Sequence, residues 1–227
     1  MKTIIIVGGS KGIGRATIDA LLGTHKIINI SRTQPDITHE NLTHFSCDVL
    51  SEDLPAIDVA DGLVYCPGSI NLKPFKRLSL DDFRADFDIN VIGAIKAIQC
   101  YSPALLQSDS GSIVLFSTVA TVMGMPFHAS VSTAKSAVEG LMKSVAADFA
   151  PKIRVNAIAP TITQTELAAK LLRNERLVEN TIERHPLKKF LDPSEVASMV
   201  QYLISDASKS ISGQVLRLDC GIISLKV

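Results

Sequence analysis

This chain has little cysteine, no surplus of charge and no long hydrophobic run. Its 227 residues include four cysteines, Cys47, Cys66, Cys100 and Cys220, and no two form a C-x-x-C pair. Neither a disulfide framework nor a zinc site is expected from them, and a reducing cytoplasm fits. The five histidines are scattered and lack metal-ligand spacing, so no metal is expected. Lys plus Arg and Asp plus Glu both count 23, so the formal net charge is zero. Nothing electrostatic therefore argues for a nucleic-acid or membrane partner. No apolar run reaches the length of a membrane span. The four apolar residues that precede the first glycine are too few for a signal peptide. What remains is 46% hydrophobic and 20% charged, an ordinary soluble composition, long enough for one large core.

Apolar strand-like runs alternate with helical patterns from end to end. That predicts an α/β fold with a parallel sheet covered by helices, in one domain over residues 1–227. The chain is organised around Val7 to Gly14, VGGSKGIG. The run Ile4-Ile5-Ile6-Val7 before it reads as a buried strand, and Arg15 to Leu22 after it reads as a helix. Strand, glycine turn and helix present helix N-terminal N–H groups to a phosphate. Gly8, Gly12 and Gly14 permit the close approach. The spacing is neither G-x-G-x-x-G nor a P-loop, so taken alone the loop also fits a purely structural turn.

Further strands are expected at Lys26–Ile30, Thr43–Cys47, Asp61–Cys66, Ser112–Phe116, Ile153–Ala157 and Gly213–Asp219. Only about a dozen residues separate Asp48 from the fourth strand, so that crossover is abbreviated. Residues 81–107 read as a long helical region with Phe83, Phe87, Val91, Ala94, Ile95, Ile98 and Tyr101 on one face. Asn90 lies inside it, where helix propensity gives no reason for an asparagine. A second long helix runs to Phe149, with Ala134, Val138, Leu141, Met142, Val145 and Phe149 on its stripe and Lys135 one residue off it. A lysine near the positive end of a helix is electrostatically disfavoured. Residues 167–184 are amphipathic and charged, and a segment at about 163–190 is expected to cover the ligand crevice. Asp192-Pro193 caps a helix through Ile204. At the end of the second strand, where a dinucleotide's ribose would lie, stands Arg32, with Lys11 in the glycine loop. Two cations suit a 2′-phosphate, and they equally fit a solvated surface.

Over nearly its whole length the sequence resembles the short-chain dehydrogenase/reductase family. VGGSKGIG resembles its T-G-x-x-x-G-x-G, and Asp48-Val49 its adenine-binding turn. Cys66-Pro67-Gly68 stands where the family has N-A-G. Asn90 in FDINVIGA matches the helix asparagine of its catalytic group, and Arg154 to Pro160 matches R-V-N-x-x-x-P. Pro186-Leu187, Asp192 to Ala197, Ser212 to Gln214 and Asp219 to Gly221 match its C-terminal pattern. The resemblance implies a doubly wound, Rossmann-type sheet of seven parallel strands with helices on both faces. It also implies a bound nicotinamide dinucleotide, NADP(H) preferred through Arg32 and Lys11, with NAD(H) possible. By family position, Gly8, Ser10, Lys11, Gly12, Ile13, Gly14, Arg32, Asp48, Val49, Cys66, Pro67, Gly68, Lys135, Pro160, Thr163 and Thr165 form the cofactor site. A small-molecule substrate and a homodimer or homotetramer are implied as well, the pairing helices carrying small residues at Ala94, Ala97, Ala137 and Gly140.

The departure lies in the catalytic motif, Y-x-x-x-K preceded 13 residues earlier by serine. Lys135 fills the lysine position, Val131 replaces the tyrosine and Thr118 replaces the serine. Thr118 keeps a hydroxyl that can orient a carbonyl. Val131 has no proton to give, and losing a general acid costs on the order of 10²–10⁴-fold in rate. The substitutes open to the sequence are His128, Ser130, Thr118, Tyr65 and a water held by Lys135 and Asn90. Tyr101 and Tyr202, the other tyrosines, fall in helices that the family places away from the site. Val7 for threonine, Cys66 for asparagine and Thr161 for glycine are smaller departures. The expected activity is hydride transfer to a carbonyl or conjugated substrate with an altered proton donor. The alternative is an NADP(H)-binding sensor or inactive partner subunit. Met123, Met125, Pro126 and Phe127 imply an apolar substrate wall.

Overall fold

The computed structural model describes residues 1–226. Seven parallel strands form one sheet in the order β3-β2-β1-β4-β5-β6-β7. They are β1 (Thr3–Val7), β2 (Lys26–Ser31), β3 (Leu42–Ser46), β4 (Gly62–Tyr65), β5 (Gly111–Phe116), β6 (Ile153–Pro160) and β7 (Val215–Leu218). The helices are α1 (Gly12–Leu21), α2 (Leu80–Phe87), α3 (Gly93–Leu105), α4 (Ala129–Phe149), α5 (Glu175–Arg184) and α6 (Pro193–Ile204). The doubly wound, single-domain expectation is met. The strand order reverses between β1 and β4, which is where such sheets open a crevice.

Strand alternation divides the core. Ile5, Val7, Leu63, Tyr65, Ile113 and Leu115 face α3 and α4. Ile4, Ile6, Val64, Val114 and Phe116 face α1 and α6. Because both faces are covered, the strands read as unbroken apolar runs. The residues between β3 and β4 form no regular helix or strand, as their number requires.

Three expectations need correction. The sixth strand runs three residues further, to Pro160, because β7 pairs with Ala157 through Pro160. Residues 81–107 are not one α-helix: α2 and α3 are joined by a π turn, Asp88–Ile92. The wider turn breaks the period of 3.6, so the regular stripe fails across it. Phe87 is therefore 38% exposed while Asp86 is 2% exposed. Finally, residues 167–184 split into a 3-10 turn, Glu166–Ala168, and α5. Asn174 starts α5 afresh, its Oδ1 accepting from Leu177 N at 3.0 Å.

Among the described residues no helix is long and apolar enough to cross a membrane, and no cluster of His, Cys, Asp or Glu has the makings of a metal site.

Candidate functional site

At the carboxyl ends of β1, β2 and β4 lies a cleft of about 700 Å³. One wall is the glycine loop. Gly8 (φ +81°) and Gly12 (φ +55°) take left-handed backbone that side chains resist. A Cβ on Gly14 would stand 2.3 Å from the Gly8 carbonyl oxygen. The loop is thus closed on itself, and it is braced from below where Gly9 N donates to Asn29 Oδ1 at 3.0 Å. Asn29 is fully buried and bonds Ser31 as well. No side chain caps α1 at Lys11, so its first N–H groups are left for a ligand. Gly8, Ser10, Lys11, Gly12, Ile13 and Gly14 all line the cleft.

Arg32 lines it from the end of β2, and Asp48 and Val49 from the turn after β3. Asp48 is held there by its own side chain, whose Oδ1 accepts from Leu50 N at 3.0 Å. Cys66, Pro67 and Gly68 line it from β4, and Thr165 from across the mouth. Pro160, Thr163 and Lys135 are not in its lining. Thr163 is buried and donates its hydroxyl to Thr161 O at 3.0 Å. Lys11 is not free: Nζ pairs with Glu166 Oε2 at 2.8 Å, an exposed pair that ties the loop to the opposite rim. Ser31, Thr33, Leu50 and Ile89 also line it without having been expected there, whereas Glu166 and Leu167 come from the segment expected to cover the crevice.

Gly68, which lines the cleft, meets two further expected residues, Lys135 and Asn90. Lys135, in the second turn of α4, donates from Nζ to Phe116 O at 2.9 Å. Gly68 lies between it and Asn90: a Cβ there would be 3.1 Å from Asn90 Oδ1 and 3.4 Å from Lys135 Nζ. Asn90 occupies the π turn, a bulge type found often at functional sites. Its Nδ2 donates to Asp86 O at 2.7 Å and Ser69 Oγ at 3.1 Å, while its buried Oδ1 has no partner among the described residues. Burial pulls Lys135 down to about 8, with Cys66 and Asp86 acting the other way. Burial pushes Cys66 up to about 12. Cys66 is therefore a neutral thiol at neutral pH, which leaves Asp86 as the acidic side chain acting to raise Lys135. Asp86 and Ser69 were not anticipated from the sequence.

The candidate acids are disposed differently. Val131 is buried at the start of α4. His128, just before α4, donates Nδ1–H to Pro126 O at 2.7 Å, and among the described residues no hydrogen bond joins it to Lys135, Asn90 or Thr118. Ser130 is buried, its hydroxyl aimed at Asn71 O at 3.5 Å. Tyr65 donates to Ile89 O at 2.7 Å, and burial raises its pKa further. Thr118 accepts from Ala120 N at 3.3 Å, which leaves its proton uncommitted among the described residues. Tyr101 donates to Pro55 O, and Tyr202 lies on the surface of α6. No tyrosine reaches the Lys135–Asn90 junction by any described hydrogen bond.

Thr161, where the family has glycine, meets a buried partner. His185 donates Nδ1–H to Thr181 O at 2.6 Å, so its Nε2 accepts from Thr161 Oγ1 at 2.7 Å. This joins the end of β6 to the end of α5.

Comparison with known proteins agrees with this architecture. The sequence matches the family described as enoyl-(acyl carrier protein) reductase over residues 14–223. It is 32% identical to a 2,5-dichloro-2,5-cyclohexadiene-1,4-diol dehydrogenase of Sphingobium indicum, covering 99% of this chain and 98% of the relative. It is 27% identical to carbonyl reductase [NADPH] 2 of Sus scrofa, covering 97% and 96%. The fold superposes on the aldohexose dehydrogenase of Thermoplasma acidophilum with a TM-score of 0.90 at 28% identity, covering 100% and 96%. The glycine cradle, the strand order and these likenesses along the chain lead to one conclusion: this protein belongs to the short-chain dehydrogenase/reductase family of oxidoreductases.

Proposed function

We propose that this protein is an NADPH-dependent reductase of carbonyl or conjugated substrates in which Lys135 supplies the proton that a tyrosine supplies elsewhere in the family. The carrying observation is the junction of Lys135 Nζ and Asn90 Oδ1 on Gly68, which lines the cleft. The cleft fits a dinucleotide: its glycine loop admits no Cβ at Gly14, and its helix N-terminus is uncapped. In this reading the glycine loop holds the phosphates and Asp48-Val49 the adenine. Arg32 holds a 2′-phosphate, and Lys11 aids it by exchanging its exposed pair with Glu166 for the anion. Cys66-Pro67-Gly68 and Lys135 hold the nicotinamide ribose, and Pro160, Thr163 and Thr165 the nicotinamide end. When bound, the dinucleotide supplies a hydride to the substrate carbon.

The chain's own residues then manage the oxygen. Thr118 orients the carbonyl with its uncommitted hydroxyl. Lys135 gives the oxygen a proton from Nζ, directly or through a water held with Asn90, and the resulting amine takes a proton back from solvent. A lysine brought down to about 8 is a far better donor near neutral pH than an ordinary one, and it is still charged there. NADPH is favoured over NADH by Arg32 in the lining and by the NADPH-named relative. Residues 163–190 form the substrate cover, drawn to the glycine loop by Glu166 and fixed at its far end by His185. Phe127, 55% exposed beside Met125 and Pro126, gives the substrate an apolar wall. The active form is a homodimer or homotetramer through the helices around Asn90 and after Val131, where Phe87 at the end of α2 and Ile92 in the π turn are exposed. Light scattering tests that assembly, and a monomer would remove it.

Val131 favours a second reading, a protein that binds NADP(H) without turnover. The experiment that separates the two is NADPH oxidation by wild type and Val131→Tyr on one panel of ketones, enones and quinones. Wild-type turnover supports the reductase. A silent wild type with an active Val131→Tyr supports the sensor or partner subunit.

A further inference from the structure

The proton donor has a neighbour that nothing so far explains. Asp86 is 2% exposed on α2, one helical turn before Asn90. Burying a carboxylate is costly unless hydrogen bonds and an opposite charge offset it. Its Oδ1 accepts from Ser69 Oγ at 2.5 Å. Ser69 Oγ accepts in turn from Asn90 Nδ2 at 3.1 Å, so the hydroxyl's single proton is directed to Asp86. Asp86 Oδ2 is buried with no partner among the described residues. The carboxylate is thus fixed by one oxygen, with the other left open.

The charge at hand is Lys135, whose Nζ would lie 3.4 Å from a Cβ on Gly68, the residue before Ser69. The titratable groups that act on Lys135 from neighbouring elements are Cys66, beyond the end of β4, and Asp86. Cys66 is a neutral thiol, so its influence is weak. Glu139, one turn further along α4, is occupied with the hydroxyls of Ser117 and Thr121. From β5, Lys135 meets the neutral Phe116 carbonyl.

We propose that Asp86 is the built-in counter-charge of Lys135, a positioning residue braced by Ser69 that keeps the lysine an ammonium and so keeps a proton ready for the substrate oxygen. This rests on the reading of Lys135 as donor. Each turnover moves one proton from Nζ to the oxygen and one from solvent back to Nζ. Asp86 takes no part in the transfer.

The test reads the ionisation of Lys135 directly. In protein labelled with ¹⁵N-lysine, the Lys135 resonance is assigned by its loss in Lys135→Arg and followed with pH. In Asp86→Asn, which keeps the shape and removes the charge, the midpoint falls by about one pH unit, the effect of one close opposite charge. Asp86→Glu returns it towards wild type. The alkaline limb of NADPH oxidation moves with the same midpoint, which a merely structural role would not produce. Should Asp86→Asn fail to fold, Asp86→Ser removes the same charge with a smaller side chain. An unmoved Lys135 midpoint in a folded neutral variant overturns the proposal. A wild type that titrates as expected without oxidising NADPH supports the counter-charge and sinks the reductase reading instead.

Discussion

Gly14→Ala probes the link between the glycine loop's geometry and cofactor binding. The added Cβ would lie 2.3 Å from the Gly8 carbonyl oxygen and 3.0 Å from Gly9 Cα, where ordinary contact begins at 3.4 Å. The obstacle is backbone on both counts, so no side-chain rotation relieves it. Roughly 1 Å of separation must be found by moving the loop away from α1. Overpacking of this kind costs about 2 kcal/mol, which for a chain of this length lowers Tm by roughly 4–8 °C. The displaced loop also takes its N–H groups out of line with a phosphate, so the Kd for NADPH rises about tenfold or more. Thermal denaturation and NADPH fluorescence titration read the two effects. Gly23→Ala is the control, because a Cβ there meets nothing within 4 Å, and it stays within about 0.5 kcal/mol of wild type. Gly14→Ala with unchanged Tm and unchanged NADPH affinity would refute the claim that the closed loop is the phosphate cradle.

Arg32→Asp removes the cation at the end of β2 and adds an acid. The ratio of kcat/KM for NADPH over NADH falls about tenfold or more, since a charge-assisted hydrogen bond is worth about 1.5–3 kcal/mol, and steady-state kinetics with both cofactors measure it. Arg154→Met strips carbonyls at the end of α6 and in the turn after it of their donor, because Nη2 bonds Leu203 O at 2.9 Å and Nη1 bonds Ser208 O at 3.1 Å. Unfolding in urea should show a loss on the order of 3 kcal/mol, with the cofactor site otherwise intact. Asp82 caps α2 and accepts from Lys73 Nζ at 2.7 Å, Asn71 Nδ2 at 2.8 Å and Ser79 N at 2.9 Å, contacts that hold its pKa well below the ordinary carboxylate range. A lowered carboxylate stabilises the fold above its unfolded pKa, and the benefit vanishes as pH falls through the folded one. Asp82→Asn therefore lowers Tm at neutral pH, and the gap to wild type closes as both are acidified below the carboxylate range.

The fold was legible because it is written in local pattern. Ile4 to Val7 is apolar without alternation because helices cover both faces of the sheet, and Asp192-Pro193 with Glu195 forms the capping box that begins α6. Lys135 and Asn90 were legible by type and position. Asp86 was hidden by backbone geometry. Periodicity put Phe87 inside, but the π turn interrupts the period, leaving Phe87 at the surface and a carboxylate within. Among Asp81, Asp82 and Asp88 nothing marked Asp86 as the buried one. The His185–Thr161 bond joins residues 24 apart and belongs to no sequence pattern. The start of α5 did carry a signal, Asn174 as an N-cap, that the continuous amphipathic pattern obscured.

The most direct measurement is the rate of NADPH oxidation by wild type and Lys135→Met across the pH range, on the same panel of carbonyl substrates. Lys135 gives its proton only as the ammonium, and burial brings it down to about 8. Wild type should turn over at neutral pH and lose rate as pH rises through about 8, and Lys135→Met should be inactive at every pH while remaining folded. Wild-type protein that binds NADPH yet oxidises none at any pH, or a Lys135→Met variant that keeps the wild-type rate, would contradict the account.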